Sequence, residues 1–515
     1  MEELIVRPGR PLSGRVQVPG DKSISHRALL LGSLAAGSCR IEGFLASGDC
    51  LATLGCLRAL GIEVEEHRPT SLTVHGRGLR GLQPPVDALN CVRSGTTMRL
   101  LAGILAGQRF TSVLTGDAQL LPRPMRRVAD PLRLMGAQIE TTDGHAPLTI
   151  EGRPLHGTDH ALPVASAQVK SAILLAGLYA DGVTTVRQPG PARDHTERML
   201  AAMGAPIHVD GALVRVSRAD KLQALALSVP GDLSSAAFPL VAALLTPGSQ
   251  VTVTDVGINP TRTGLLDVLV SMGAEISLDG ERLEGGEPLT HVTARTSGLH
   301  GASVGGDTVV RMIDEFPILA VAATQAQGTT IVRDAAELRV KETDRIATVV
   351  TELQAQGAQI EAAPDGFVIE GPTPLRGGLV DSHGDHRLAM ALAVAGLVVH
   401  PERVATADRA EIDSEATGGT LLEEEIGTGG EDRVLNLIQA RHVLDLIDAQ
   451  TPGRHPLVPM RTWRLVEIPA QPAQAPALIG LDHPVHPPGP CLGLAEVDHR
   501  EAIAQHVRGR INSEL

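Results

Sequence analysis

The sequence predicts an α/β protein made of two similar domains, each assembled from three βαβαβ-type units. Two observations support this fold class. Apolar helical runs recur about every 70 residues, a period too long for solenoid repeats. Each run ends near a glycine and passes into a β-type segment, and a second, amphipathic helix then closes on a short glycine tag. Three units around one core and three around another would give two domains.

The repeated elements can be followed along the chain. The helical runs begin at Ala28, Met98, Ala172, Ala236, Phe316 and Leu388. Typical β segments follow at 39–42, 184–187 and 329–332. The glycine tags are centred on Gly61, Gly136, Gly204, Gly273 and Gly357. We expect each of these glycines to be the C′ residue of a helix, placed just before the next strand.

The repeat also predicts where the domains begin and end. The run 228–234, between the third and fourth units, is the natural hinge. We therefore expect a first domain over 20–230 and a second made of 1–19 with 231–426. Beyond it the pattern changes, with a Gly-rich linker from Gly427 and an amphipathic helix over 434–449. Residues 427–515 are predicted to be an appended C-terminal segment, to which the sequence assigns no chemistry.

Composition narrows the class of partner. A net charge of −14 argues against a general nucleic-acid or acidic-membrane surface, and one Trp, one Tyr and five Phe leave little for base stacking. No apolar run approaches a membrane span, and the acidic N-terminus is no targeting peptide. Five cysteines without a C-x-x-C pair fit a reducing compartment. We expect a cytoplasmic monomer with small-molecule substrates, and any anionic substrate must be bound by local cations.

The strongest local signal is the helix start around residues 19–31. Asp21, Ser23 or Ser25 can cap this helix, and Lys22 and Arg27 crowd its N-terminus. Cations there oppose the helix dipole, so free N–H groups together with Lys and Arg predict a site for phosphate or carboxylate. The alternative is a surface helix with an ordinary cap and two solvated cations. The segment is not a P-loop, because Asp21 stands where that motif requires Gly.

Polar clusters precede all six helical runs. They lie at 21–27, 93–97, 165–170, 231–235, 312–315 and 383–387. If the units pack alike, six helix N-termini point to one shared place between the two domains. Their summed field would suit a polyanionic substrate.

Several separated motifs, in a fixed order, identify the chain as a member of a known family. They are PGDKSISHR at 19–27, SGTTMR at 94–99, LPRPM at 121–125, SAQVKS at 166–171, RDHTE at 193–197, LRVKETDR at 338–345 and GDHR at 384–387. Over about residues 4–425 the chain resembles the 5-enolpyruvylshikimate-3-phosphate synthases. The resemblance implies a two-domain inverse α/β barrel with its active site in the interdomain cleft.

The resemblance also implies the reaction. The enolpyruvyl group of phosphoenolpyruvate passes to the 5-hydroxyl of shikimate 3-phosphate and phosphate leaves, on the route to chorismate and the aromatic amino acids. Addition to a tetrahedral intermediate precedes elimination, and neither a metal nor an organic cofactor is expected.

The site residues are carried over from the matching motifs. Lys22, Asp314 and Glu342 are implied to be catalytic, with Asp314 as the base for the hydroxyl and Glu342 as the acid at the methylene carbon. The implied shikimate 3-phosphate set is Lys22, Ser23, Arg27, Ser166, Ala167, Gln168, Arg193, Asp314 and Lys341. The implied phosphoenolpyruvate set is Lys22, Gly95, Thr96, Arg123, Gln168, Arg345 and Arg387.

Each of these residues also has a structural interpretation. Ser166 can simply cap a helix, Gln168 can be a surface amide and Gly95 an ordinary N-terminal glycine, and each arginine can be a solvated surface cation. The Lys341–Arg345 stretch can be a solvated helix face, although like charges one turn apart repel unless an anion joins them. For Glu342, the neighbouring cations predict a lowered pKa in the free protein.

The sequence departs from the family pattern at a few places. Arg93 stands where many members have Asn, and Arg193 occupies the region where part of the family has an aromatic residue. The stretch 412–416 replaces a usual Ser-Phe-Pro, and no lysine follows Lys341. These changes put a C-terminal lysine contact and the closure of the sixth unit in question.

Three rival functions fit less well. The sister transferase acting on UDP-N-acetylglucosamine uses a Cys in the loop that here spans 117–123 without one. A non-catalytic binding protein would not need the acids, lysines and arginines that this chain keeps. A metal hydrolase would need more ligands than the histidine pair His383 and His386.

Overall fold

The computed structural model of the chain describes residue 6, residues 10–399 and residues 464–465. The helix predicted over 434–449, the altered stretch 412–416 and the rest of the appended segment lie outside the described residues.

Twelve α-helices lie within the described part of the chain. Their bounds are α1 Lys22–Leu34, α2 Gly48–Ala59, α3 Gly95–Ala106, α4 Arg126–Leu134, α5 Ala167–Gly177, α6 His195–Ala202, α7 Leu233–Leu245, α8 Gly264–Ser271, α9 Asp307–Arg311, α10 Phe316–Thr324, α11 Arg345–Ala355 and α12 His386–Leu397. All six predicted apolar runs are helices: α1, α3, α5, α7, α10 and α12. A short 3₁₀ helix spans Ala336–Val340. None of the described helices combines the length and apolar content that a bilayer crossing requires.

The strands alternate with these helices. Their bounds are β1 Ser13–Gln17, β2 Ala35–Glu42, β3 Glu63–Arg68, β4 Ser71–Arg77, β5 Leu89–Asn90, β6 Thr111–Thr115, β7 Gln138–Thr142, β8 His145–Glu151, β9 Asp159–Ala161, β10 Val183–Arg187, β11 Ile207–Asp210, β12 Leu213–Ser217, β13 Leu222–Gln223, β14 Leu227–Ser228, β15 Gln250–Gly257, β16 Glu275–Glu284, β17 Glu287–Arg295, β18 Ser303–Val304, β19 Gly328–Val332, β20 Gln359–Ala363, β21 Gly366–Gly371, β22 Val380–Asp381 and β23 Arg464–Leu465.

Five sheets share one topology, which confirms the internal repeat. In the second unit β5 runs parallel to β6, β6 pairs antiparallel with β8, and β8 pairs antiparallel with β7. The sheets built on β2, β10, β15 and β19 follow the same order. Each unit thus ends in a hairpin, one strand more than the predicted βαβαβ pattern. In the described residues the sixth sheet is the antiparallel pair of β22 and β23.

In two units, one strand of the sheet comes from a distant part of the chain. The N-terminal strand β1 pairs in parallel with β15 of the fourth unit, from Ser13 opposite Gln250 to Gln17 opposite Thr254. At the end of the third unit, β13 and β14 pair in parallel with β2 of the first. The strands at the end of the third unit therefore complete the sheet of the first unit, and the N-terminal strand completes the sheet of the fourth.

The apolar helices form two separate cores. One buried cluster contains Leu29 of α1, Leu101 of α3 and Ile173 of α5, and all three are fully buried. A second cluster contains the corresponding helices α7, α10 and α12 with Leu240 and Leu319. Helices that are apolar on all sides must be enclosed. Here α3 packs against α1 and α5, and α7, α10 and α12 pack against one another.

The glycine tags adopt the predicted conformation. Gly61, Gly136, Gly204, Gly273 and Gly357 have φ between +75° and +97°. Side chains rarely adopt this left-handed region, so glycine is the residue that can end each helix and turn the chain into the next strand.

Candidate active site

The start of α1 is capped by Asp21, one of the three predicted candidates. Its Oδ1 accepts a hydrogen bond of 2.9 Å from the N–H of Ile24. Arg27 lies one turn further along and is only 3% exposed. Its guanidinium donates to Thr196 Oγ1 at 2.7 Å, to Ser171 Oγ at 2.9 Å and to the Ser23 carbonyl at 2.9 Å. The alternative of a surface helix with two solvated cations is therefore wrong for Arg27.

Lys22 is paired with a residue that the sequence did not single out. Its Nζ lies 3.3 Å from Oδ2 of Asp49, in the first turn of α2. The charge of Asp49 raises the pKa of Lys22, against the opposing effects of burial and of Arg387. Lys22 is thus a fixed ammonium at neutral pH, within electrostatic reach of Arg387 and Glu342.

The starts of α3 and α5 are joined by Gln168. Its Nε2 donates to Thr96 Oγ1 at 2.9 Å, and its Oε1 accepts a short hydrogen bond from Arg99. The surface-amide interpretation of Gln168 is therefore wrong. Ser166 does cap α5, accepting from Val169 N–H at 3.5 Å, and Ala167 is the first residue of that helix. The helix-cap interpretation of Ser166 is thus confirmed.

Gly95 opens α3 opposite two guanidinium groups. A Cβ at this position would lie 2.9 Å from Nη1 of Arg99 and 3.5 Å from Nη1 of Arg123. The first distance is shorter than carbon–nitrogen contacts allow, so a side chain here would displace Arg99 or fill the space beside Arg123. Gly95 is thus more than an ordinary helix-start glycine.

Asp314 lies among four cations. Arg193 Nη2 contacts Oδ2 at 2.6 Å. Arg345 Nη1 and Lys341 Nζ lie 3.5 and 3.8 Å from Oδ1, and Arg387 Nη2 lies 3.9 Å from Oδ2. Burial favours the protonated acid, but these cations outweigh it and hold the pKa of Asp314 well below its usual range. Asp314 is also the anion that relieves the repulsion between Lys341 and Arg345.

Glu342 belongs to the same network through Arg345. Arg345 is 1% exposed, and it contacts Glu342 Oε2 and Asp385 Oδ2, each at 2.7 Å. Lys341 follows the 3₁₀ helix and α11 begins only at Arg345, so the alternative of a solvated helix face is wrong. Burial raises the pKa of Glu342, but the charge of Arg345 prevails and brings it to about 2. This confirms the predicted direction.

Arg193 connects the two halves of the chain. Its Nη1 lies 3.5 Å from Ser23 Oγ of α1, while its Nη2 contacts Asp314 beside α10. The preceding residue, Ala192, accepts a hydrogen bond of 3.3 Å from Lys170, which is paired at 2.5 Å with Glu197 in a buried position. Lys170, one of only four lysines, thus supports the loop that presents Arg193.

The described contacts therefore gather most of the expected residues into two networks. One joins Ser23, Arg193, Asp314, Lys341, Glu342, Arg345 and Arg387. The other joins Thr96, Gln168 and Arg99, with Gly95 and Arg123 beside them. Lys22 pairs with Asp49, and Arg27 holds the backbone of Ser23.

Sequence reasoning missed three residues that hold this site. Arg99 lies one turn after Gly95 within the SGTTMR motif, and that helical spacing could have identified it. Asp385 lies in the GDHR motif, caps α12 and binds Arg345. For Asp49 no local pattern gave a signal, because it meets Lys22 only through the packing of α1 on α2.

Three further side-chain groups lie outside these networks. Arg93, which departs from the family pattern, pairs with Asp117 at 2.8 Å. Among the described residues, Glu63, Glu65 and His75 on the β3–β4 hairpin come close enough to hold a metal ion. His383 pairs with Glu352 at 2.7 Å.

Comparisons with known proteins agree on one family. The family model described as EPSP synthase (3-phosphoshikimate 1-carboxyvinyltransferase) matches residues 6–414. A 3-phosphoshikimate 1-carboxyvinyltransferase of Acidithiobacillus ferrooxidans is 54% identical over 398 residues, which cover 77% of this chain and 92% of that protein. One of Roseiflexus castenholzii is 54% identical over 395 residues, covering 76% and 91%.

A solved structure gives the same result. The EPSP synthase of Acinetobacter baumannii is 46% identical with a TM-score of 0.73, covering 77% of this chain and 91% of that one. With a matching family model, relatives above half identity and a shared two-domain inverse α/β fold, the chain belongs to the EPSP synthase (3-phosphoshikimate 1-carboxyvinyltransferase) family.

Proposed function

We propose that this chain transfers the enolpyruvyl group of phosphoenolpyruvate to the 5-hydroxyl of shikimate 3-phosphate and releases phosphate, a step toward chorismate and the aromatic amino acids. The observation that carries the proposal is Asp314, an anion among four cations, joined through Arg345 to a second carboxylate, Glu342. The reaction needs a base, an acid and several fixed cations for two phosphates and two carboxylates, and this network offers each of them.

Phosphoenolpyruvate draws on residues of both networks. We assign the phosphate and carboxylate of phosphoenolpyruvate to Arg123, Arg345 and Arg387, since guanidinium groups bind both anions in bidentate fashion. Gly95, Thr96 and Gln168 would border the same substrate. Lys22 would contact both substrates from α1.

Shikimate 3-phosphate is assigned to a second set of residues, which shares Gln168 with the first. We assign its ring, carboxylate and phosphate to Ser23, Arg27, Ser166, Ala167, Gln168, Arg193, Asp314 and Lys341. Arg27 has five N–H donors, and the three that bind Thr196, Ser171 and the Ser23 carbonyl leave two for a ligand.

The chemistry then follows in two stages. In the addition, the 5-hydroxyl oxygen bonds to C2 of phosphoenolpyruvate, its proton passes to Asp314, and Glu342 protonates C3 to give a methyl group. In the elimination, the C2–O bond to phosphate breaks, the departing phosphate takes the proton held by Asp314, and the methyl group returns one proton to Glu342, which restores the double bond. Protons and electron pairs balance, and phosphate is the leaving group.

Substrate binding must change the acidity of both carboxyl groups. In the free protein the pKa of Asp314 is held low by its cations, which makes it a weak base. The phosphate of shikimate 3-phosphate would pair with Arg193 and Lys341. Its negative charge would offset the effect of these cations on Asp314 and raise the pKa of Asp314. The free site is thus arranged to bind anions first and to act on protons second.

The organisation of the chain is part of the same proposal. We take 20–230 as one domain and 1–19 with 231–426 as the other, with the substrates between them, and we take the enzyme to be a cytoplasmic monomer. The two core clusters and the pairing of β1 with β15 support this division.

The test is phosphate release from phosphoenolpyruvate with each of two acceptors. We expect release that depends on shikimate 3-phosphate and no release with UDP-N-acetylglucosamine. Phosphate release that occurs with UDP-N-acetylglucosamine and not with shikimate 3-phosphate would contradict the proposal and favour the sister transferase.

A further inference from the structure

The chain passes between the two cores twice, at neighbouring places. Val18 belongs to the second core and Ile24 to the first, while Val229 belongs to the first and Leu233 to the second. The two crossings form a short antiparallel ribbon, in which Gly20 bridges Gly231.

Hydrogen bonds and close packing fix this ribbon. The Asp21 N–H donates to the Pro230 carbonyl at 2.8 Å, and the Asp232 N–H donates to the Pro19 carbonyl at 2.9 Å. A Cβ on Gly20 would lie 1.9 Å from the carbonyl oxygen of Gly43, so the crossing tolerates no side chain there. Helices α1 and α7 begin directly after the ribbon. The geometry of the ribbon thus sets the directions of both helices.

A single buried guanidinium spans both crossings. Arg262 lies between β15 and α8 and is 4% exposed. Its Nη1 contacts Asp21 Oδ2 and its Nη2 contacts Asp232 Oδ1, both at 3.1 Å. These two carboxylates are the N-caps of α1 and α7, since Asp21 also accepts from Ile24 N–H and Asp232 from Ser234 N–H.

The same guanidinium also reaches toward the proposed base. Arg262 Nη2 donates to Ser234 Oγ at 2.7 Å, and Ser234 Oγ makes a short hydrogen bond to Glu315. Glu315 directly follows Asp314. A continuous set of hydrogen bonds therefore runs from the cap of α1, through Arg262 and Ser234, to the side chain of Glu315, the residue next to Asp314.

We propose that Arg262 is a positioning residue that fixes Lys22 and Ser23, at the start of α1, relative to Asp314 of the opposite half. The effect of Arg262 on catalysis rests on the proposed function, but its effect on the position of α1 does not. The two-point contact requires the planar fork of arginine, because a lysine ammonium is a single compact charge that cannot reproduce the fork's fixed geometry. Removal of the charge altogether would leave Asp21, Asp232 and Glu315 as buried carboxylates with their shared cation lost.

The test uses the full chain with three variants. Arg262→Lys keeps the charge and loses the fork, and Ser234→Ala removes the hydroxyl that joins Arg262 to Glu315 but leaves the contacts of Arg262 with Asp21 and Asp232. Arg295→Lys is the matched control, because Arg295 forms an exposed pair with Glu275 on the β16–β17 hairpin. Each protein is measured by amide hydrogen exchange and by steady-state kinetics with both substrates.

We expect exchange at the start of α1 (residues 22–27) and of α7 (233–238) to rise in Arg262→Lys by about tenfold, the loss of roughly one charge-assisted hydrogen bond, while other helices stay as in the wild type. The KM for shikimate 3-phosphate should rise by a similar factor. Ser234→Ala should raise exchange at α7 and lower kcat, and Arg295→Lys should change neither reading.

Two results would overturn the inference. One is unchanged exchange at both helix starts together with an unchanged KM in Arg262→Lys. The other is a uniform rise of exchange over all helices, which would mean that Arg262 only stabilises the fold. If Arg262→Lys does not fold, Ser234→Ala decides the matter: unchanged exchange at α7 together with an unchanged kcat would overturn the inference. If the wild type shows no transfer, the proposed function fails, while the exchange readings still judge the position of α1.

Discussion

Replacing Glu342 by Gln separates the proton transfer from substrate binding. Glu342 has a pKa of about 2 in the free protein, so at neutral pH it is a carboxylate paired with Arg345. At pH 7 only about one molecule in 10⁵ carries the proton that a general acid needs. Binding must therefore raise this pKa before Glu342 can protonate C3.

The required change matches what phosphoenolpyruvate brings. One anionic charge 4 Å away contributes about 4 kcal/mol at an effective dielectric constant of 20, which raises a pKa by about 3. The substrate carries a carboxylate and a phosphate, so two such charges can move the pKa from about 2 into the neutral range. Because Glu342 is 44% exposed, water screens part of this effect until the site closes. We therefore expect Glu342 to act as an acid only in the closed complex.

The variant should bind both substrates within about threefold of the wild type, because Arg345 keeps Asp385 and Asp314 as partners. Its single-turnover rate should fall by about 10²–10⁴-fold, the share of general acid catalysis. Affinity is measured by calorimetry and the rate by rapid quench. The matched control is Glu337→Gln, an exposed carboxylate five residues upstream, which should keep the rate. A Glu342→Gln variant that keeps its rate and loses affinity would refute the reasoning and make Glu342 an ion-pair partner of Arg345.

The remaining predictions concern binding, pH and the C-terminal segment. Arg27→Ala should weaken shikimate 3-phosphate binding by about 1.5–3 kcal/mol, one charge-assisted contact, and calorimetry showing unchanged affinity would contradict this. Burial lowers the pKa of His26 to about 3, so the contribution of His26 to stability should be full above pH 6.5 and fall by about 1.4 kcal/mol per pH unit toward pH 3. In denaturant titrations the pH slope of His26→Gln should be smaller than that of the wild type by this amount, and an equal slope would rule out the contribution of His26. A chain ending at Gly427 loses β23 but keeps every described contact of the site, so we expect turnover to persist; an insoluble or inactive product would show that the segment completes the sixth unit.

The regular part of the fold followed from local patterns. Apolar spacing predicted α1, α3, α5, α7, α10 and α12, and the glycine tags predicted positive φ, because both depend on residues close together in the sequence. The extra strand of each unit was missed although its alternation is visible, as in β4, where Leu72 and Val74 are buried while Thr73 and His75 are partly exposed.

The site itself divides in the same way. The motifs indicated residues that the structure brings together, but the charge states of these residues depend on partners far along the chain. Asp314 meets Arg193, which lies 121 residues away, and Arg345 meets Asp385, 40 residues away. No local spacing reports such pairs, since the order in which the units pack decides them. For the same reason the sequence patterns did not predict the contacts of Asp49 and Arg262.

The most direct test of addition and elimination at this site is the reaction of both substrates in D₂O, with the products followed by NMR. Protonation of C3 by solvent-exchanged Glu342 makes a methyl group that can rotate before a proton is lost. The account predicts an enolpyruvyl ether on the 5-oxygen of shikimate 3-phosphate, deuterium in its vinyl group and one phosphate released per ether formed. Pyruvate and phosphate without an ether, or an ether whose vinyl group carries no deuterium, would contradict it.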